Sequence, residues 1–205
     1  NNQYQSVFKD SLFENKTIIV TGGGSGIGRC TAHELAALGA TVILIGRKLD
    51  KLEVVADEIK EDGGTVDFYA CDIREEALVQ QTIKEIISKH PIIHGLVNNA
   101  GGQFPSPLTG INQKGWETVV RTNLTGGFLM AKEVYLKSMS KHGGSIVNIV
   151  ADMWGGMPGL GHFGAAVAGL VTFTQTAAVE CTAARLPVSA FVPSGVIERG
   201  RLVCQ

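Results

Sequence analysis

Short β-branched runs alternate along this chain with single amphipathic helices, and that alternation constrains the fold more than any other feature. TIIV at Thr17–Val20 precedes a helix predicted over Gly26–Leu38, and TVILI at Thr41–Ile45 follows it. The next helix is predicted over Leu49–Lys60, where Leu52, Val55, Ala56 and Ile59 share one stripe; Val66, Phe68 and Ala70 then alternate as a strand. A helix over Glu75–Lys89 carries Val79, Ile83 and Ile86, and the apolar run Gly95–Val97 ends in Asn98 and Asn99. A long helix over Gly115–Ser140, a strand over Ser145–Val150, a helix over Ala165–Ala184 and a strand over Val188–Val192 complete the series. Strands joined through single helices need crossover connections, which are right-handed and build a parallel sheet covered on both faces. The predicted architecture is α/β and doubly wound, one domain over the 205 residues, with residues 1–12 as a surface arm pinned by Phe8 and Phe13.

Composition narrows the function classes. With 44% hydrophobic residues the chain can bury one substantial core, and its 18 basic and 19 acidic residues leave no global field to attract nucleic acid or an anionic membrane. Cys30, Cys71, Cys181 and Cys204 are scattered without a metal-ligand spacing, so they read as reduced thiols and no zinc site is expected. No leader pattern or membrane-length apolar run is seen, and the expected location is cytoplasmic.

The segment TGGGSGIG, Thr21–Gly28, lies between the first strand and its helix, where a phosphate-binding turn belongs. Gly22 is read as the tight turn, Gly26 as room for a pyrophosphate and Gly28 as the close approach of helix to strand, with Ser25 and Ile27 in the same turn. The free N–H groups and positive end of the helix would hold the anion. Free ribose hydroxyls are usually met by an acidic residue at the end of the second strand; here that place reads Gly46, Arg47, Lys48. A guanidinium pairs with a 2′-phosphate that a carboxylate would repel, so NADP(H) is expected in preference to NAD(H).

CDI at Cys71–Ile73, NNAG at Asn98–Gly101 and NLTG at Asn123–Gly126 follow the glycine turn in order. With these motifs the chain resembles the short-chain dehydrogenase/reductase family from Lys16 to Gly195. The resemblance implies a Rossmann-type sheet and cofactor contacts from Asp72, Ile73, Asn99, Ala100, Gly101 and Pro193. It also implies a structural and catalytic role for Asn123, and a homodimer or homotetramer. GGQF at Gly101–Phe104, KGWETVV at Lys114–Val120, NLTGGF and HGGSIVNI are most similar to the peroxisomal trans-2-enoyl-CoA reductase branch and its bacterial relatives, some of which resemble terpenoid-alcohol dehydrogenases.

The family's proton relay is a Ser after the fifth strand and a Tyr and Lys four residues apart on the next helix. Those places read Ala151 or Val150, Phe163 and Val167, and the branch's displaced pair reads Val171 and Gln175. None of these side chains can exchange a proton. His162, beside the lost Tyr, and Asp152, after the lost Ser, are the candidate substitutes, with Trp154 as a pocket wall. The expected function is therefore an NADP(H)-dependent oxidoreductase reducing an enoyl thioester or interconverting an alcohol and a carbonyl. Its substrate would be a small molecule, an acyl-CoA or a terpenoid or aliphatic alcohol. The alternative is a dinucleotide-binding homologue with little catalysis, a sensor or partner subunit. After Pro193 the family continues through a substrate-covering segment and a further strand; this chain reads Ser194 and stops at Gln205, so a sheet lacking its C-terminal part is implied.

Overall fold

The computed structural model describes residues 8–193; the expectations for residues 1–7 and for the segment from Ser194 onward fall outside them. The elements run β1 (Thr17–Thr21), α1 (Gly26–Ala37), β2 (Thr41–Gly46), α2 (Leu49–Glu61), β3 (Thr65–Ala70), α3 (Glu76–Lys89) and β4 (Gly95–Asn98). Then come α4 (Gln113–Val120), α5 (Gly126–Val134), α6 (Ser140–His142), β5 (Ser145–Ile149), α7 (Gly161–Glu180) and β6 (Val188–Phe191). All six strands are parallel, in the order β3-β2-β1-β4-β5-β6, with Thr17 beside Thr41 and Ile18 beside Gly95 in the register.

Alternation within the strands feeds two cores. Ile18 and Val20 of β1 face one way, into a cluster with Ala32 and Ala36 of α1 and Leu52, Val55 and Ile59 of α2. Ile19 faces the other way, with Val79, Ile83 and Ile86 of α3 and Leu129, Met130 and Val134 of α5. Burial on both faces explains why β1 and β2 read as unbroken apolar runs, whereas β3, at the sheet edge, keeps Asp67 and half-exposed Phe68. Phe13 packs on the α1/α2 core and donates its N–H to the Leu38 carbonyl at 2.8 Å, while Phe8 stays exposed.

Two boundaries differ from the sequence expectation. The long helix begins at Gln113, where the Asn112 side chain accepts the Gly115 N–H at 2.8 Å, and it is loosened by π turns at Arg121–Thr125 and Tyr135–Met139. The helix expected from Ala165 begins at Gly161, with Gly164 inside it, because a short loop leads straight into the packed stripe of Ala166, Val167 and Leu170. Cys71 and Cys181 are free thiols, Cys30 is half-exposed on α1, and Cys204 falls outside the described residues.

Candidate functional site

The strand order reverses between β1 and β4, and in a doubly wound sheet the crevice beyond the carboxyl ends at that point is where ligands bind. The glycine turn opens there. Gly22 has φ +69°, donates its N–H to the Ile45 carbonyl at 2.7 Å, and leaves no room for a Cβ, which would lie 2.9 Å from Asn99 Nδ2. Gly28 is tighter still, since a Cβ would fall 2.4 Å from the Gly22 carbonyl oxygen. Gly26 is the opposite case: φ is +55° and nothing lies within 4 Å of a Cβ position, so backbone faces open space at the start of α1. Ser25 precedes the helix with its hydroxyl not engaged in capping, and no acidic residue occupies the first turn.

Thr21 ties this turn to the NNAG segment. Its hydroxyl oxygen accepts the N–H groups of Asn99 and Ala100, both at 3.0 Å, and Asn99 Nδ2 donates to the Thr21 carbonyl at 3.0 Å. Below it, a buried polar chain crosses from the sheet to α7. Asn98 Nδ2 donates to Asn148 Oδ1 at 2.9 Å, Asn148 Nδ2 to Thr174 at 2.8 Å, and Thr174 to the Leu170 carbonyl at 2.7 Å. Parallel pairing of β4 with β5 sets Asn98 directly beside Asn148.

Two cavities flank the segment and share Ile73, Asn99, Ala100 and Gly101 as a common wall. The first, about 360 Å³, is polar. It brings together Gly22, Ser25, Arg47, Lys48 and Asp72, with Lys51 and Arg74 beside them. Arg74 grips Asp72, with Nε 2.9 Å from Oδ1, and this pair, with Arg47 nearby, holds the Asp72 carboxyl below the usual carboxylate range. The second, about 590 Å³, is largely apolar, lined by Ile27, Ile149, Val150, Met157, Leu170 and Pro193 with Asn123 and Asp152. Phe163 and Val167 line it too, at the places where the relay Tyr and Lys would stand.

The three catalytic candidates are distributed unequally. Asn123 is buried within the first π turn. Its Nδ2 donates to the Gly102 carbonyl at 2.7 Å and to the Val119 carbonyl at 2.8 Å, and its Oδ1 accepts the Gly102 N–H at 3.0 Å. Taking the Val119 carbonyl from its own helix accounts for the local π geometry and spends both amide protons on holding the loop after Ala100. Asp152 lies on the cavity wall with Oδ1 accepting the Trp154 N–H at 3.2 Å. His162 lines neither cavity: it is fully buried, 4.6 Å from the Phe104 ring in an edge-on contact. Trp154 is 75% exposed and stands off the wall. Gly26 and Gly28 act through the turn and line neither cavity.

Sequence reasoning passed over Arg74, Lys51, Thr21 and the Asn148–Thr174 link. Two of these carried a signal: Arg74 stands two residues beyond Asp72, and Lys51 lies in the first turn of the helix that follows Arg47 and Lys48. Among the described residues no group of His, Cys, Asp and Glu could hold a metal ion.

A dinucleotide fits this groove on its own observations: open backbone at Gly26, cations around one cavity, and an apolar cavity across a shared wall. The comparisons agree. A family model described as short chain dehydrogenase matches residues 16–198. The chain is 34% identical over 169 residues to a probable 2,4-dienoyl-CoA reductase of Bacillus subtilis, a match covering 82% of this chain and 66% of that protein. It is 64% identical to a solved citronellol catabolism dehydrogenase of Pseudomonas aeruginosa, with TM-score 0.89, covering 91% of this chain and 77% of that one. Solved neighbours hold either cofactor. One is a metagenomic short-chain oxidoreductase in complex with NADP, at 28% identity and TM-score 0.85, covering 90% of this chain and 84% of that one. Another is an NAD+-bound xylitol dehydrogenase, at 29% and 0.87, covering 92% and 73%. The chain belongs to the short-chain dehydrogenase family.

Proposed function

We propose that the chain binds NADP(H) along the two-cavity groove and serves as an oxidoreductase of an apolar substrate. That substrate is a terpenoid or aliphatic alcohol and its carbonyl, or an enoyl thioester. The observation that carries this reading is the shared wall of Asn99, Ala100 and Gly101, with cations on one side of it and an apolar chamber on the other. Arg47, Lys48 and Lys51 would meet a 2′-phosphate, the α1 start and Gly26 a pyrophosphate, and the NNAG backbone the nicotinamide end. When bound, the dinucleotide supplies or takes up the hydride. Likeness to the citronellol and dienoyl-CoA proteins supports the substrate classes.

The chain's own residues orient the reactants and exclude water. Asn123 keeps the Gly102 loop in place, Met157, Phe163 and Leu170 give the substrate a dry wall, and Asp152 is the titratable side chain on that wall among the described residues. Its carboxylate can take the hydroxyl proton of an alcohol as the hydride leaves carbon. Mixing the chain with NADP+ and branched aliphatic alcohols, and with NADPH and ketones or enoyl-CoA thioesters, should change the reduced-nicotinamide absorbance. Asp152→Asn should abolish that change while leaving NADPH binding intact. Absorbance that stays constant with every substrate would exclude turnover.

A second reading is favoured by Phe163 and Val167, which line the chamber with groups that exchange no proton. On it the chain holds the dinucleotide without catalysis, as a sensor or partner subunit. Phe163→Tyr combined with Val167→Lys should then create turnover from none, at unchanged NADPH affinity; turnover by the unmodified chain decides against it.

A further inference from the structure

The polar cavity carries four cations, Arg47, Lys48, Lys51 and Arg74, and one carboxylate, Asp72. Among the described residues Arg47, Lys48 and Lys51 make no ion pair, whereas Arg74 is committed to Asp72. The grip is a fork. Arg74 Nε lies 2.9 and 3.1 Å from the two carboxylate oxygens, Nη2 lies 2.5 Å from Oδ2, and the Arg74 backbone N–H donates to Oδ1 at 3.1 Å. The two side chains are only 26% and 22% exposed. Their turn is itself held, because Arg121 Nη2 donates to the Arg74 carbonyl at 2.9 Å and to Glu75 at 2.8 Å, and the Glu75 N–H donates to the Asp72 carbonyl at 3.1 Å. A bidentate pair on a fixed turn is stronger than one between two mobile surface side chains.

We infer that Arg74 is a cofactor-specificity residue that works by masking Asp72: holding both carboxylate oxygens, it cancels the cavity's one negative charge and leaves Arg47, Lys48 and Lys51 to a 2′-phosphate. The inference rests on the dinucleotide reading above. A free carboxylate in the same cavity as Arg47, Lys48 and Lys51 would repel a 2′-phosphate and draw those cations to itself. Gripped by the fork, it does neither. The planar guanidinium can occupy both oxygens at once, which a lysine ammonium on the same turn could not do as well. Preference between the two cofactors is thus set by the β3–α3 turn as well as by the loop after β2.

The test is the ratio of NADPH to NADH affinity, measured by fluorescence titration of the chain and of Arg74→Gln, Asp72→Asn and the double variant. Arg74→Gln unmasks the carboxylate and should cut the NADPH preference by about tenfold or more. The double variant, with nothing left to mask, should regain it. A double variant as poor as Arg74→Gln would mean that Arg74 touches the phosphate itself, and masking would be wrong; an unchanged ratio in Arg74→Gln would also overturn it. Asp72→Asn alone should keep or raise the NADPH preference, and a fall there sinks the inference even if Arg74→Gln does not fold. An unmodified chain that binds neither dinucleotide, or prefers NADH, would bring down the cofactor reading and the inference together. NADPH preference that Arg74→Gln leaves untouched removes the inference alone.

Discussion

Burial leaves both ring nitrogens of His162 without a hydrogen-bond partner, and Phe104 packs edge-on against the ring. A sequence places this histidine beside the lost Tyr; only the fold shows that it turns away from the chamber that Phe163 lines. Unpaired buried polar atoms cost stability, so His162→Leu should stabilise the fold by about 1–3 kcal/mol. A thermal melt should then show a Tm about 2 °C or more higher. Any turnover should survive the change, whereas its loss would assign His162 to catalysis. Asn123 carries the same lesson. Its position was readable from NLTG, but the spending of its amide on Gly102 and Val119 depends on a π turn that no local pattern announces.

At the scale of elements, β1 and β4 are joined at their starts by His94, whose Nδ1 accepts the Thr17 N–H at 3.0 Å. That bond needs an unprotonated nitrogen. Burial, with Lys16 and His142 nearby, pushes the His94 pKa below its usual value. A folded-state pKa below the unfolded one contributes stability that is present above the unfolded pKa and is lost as pH falls through the folded one. Urea unfolding should therefore show stability declining between about pH 7 and pH 5, the range in which an ordinary histidine takes up its proton. His94→Asn, which retains an acceptor but no titration, should flatten that decline. β1 and β2 were legible as unbroken β-branched runs, and β3 and α2 because each repeats one period; the start of α7 at Gly161 was not, since two glycines hide a helix that packing against the sheet imposes.

For the whole molecule, the groove straddles the point where the strand order reverses, and its walls come from β1, β2, β4, β5, the segments that follow β1 to β5, and α7. A dinucleotide lying there would touch both halves of the fold, so binding should stabilise the chain as one unit. At a hundredfold excess over Kd the gain is about 2.7 kcal/mol. A single cooperative transition should move up by about 5 °C or more with NADPH, and NADH at the same concentration should move it less. Two separate transitions, or a shift confined to one of them, would show that the halves respond independently.

By itself the sequence determined the alternation of strands and helices, hence parallel pairing, and the phosphate-binding turn. Each of these follows from periodicity or from a steric need, the close approaches at Gly22 and Gly28, that only glycine can meet. Tertiary structure alone decided the strand order and which distant residues meet. It set Asn98 beside Asn148, the Asp72–Arg74 pair in one cavity with Arg47 and Lys51, and His162 in the interior off the wall that carries Asp152. Those juxtapositions arise from register and packing between segments far apart in the chain, which no local spacing encodes.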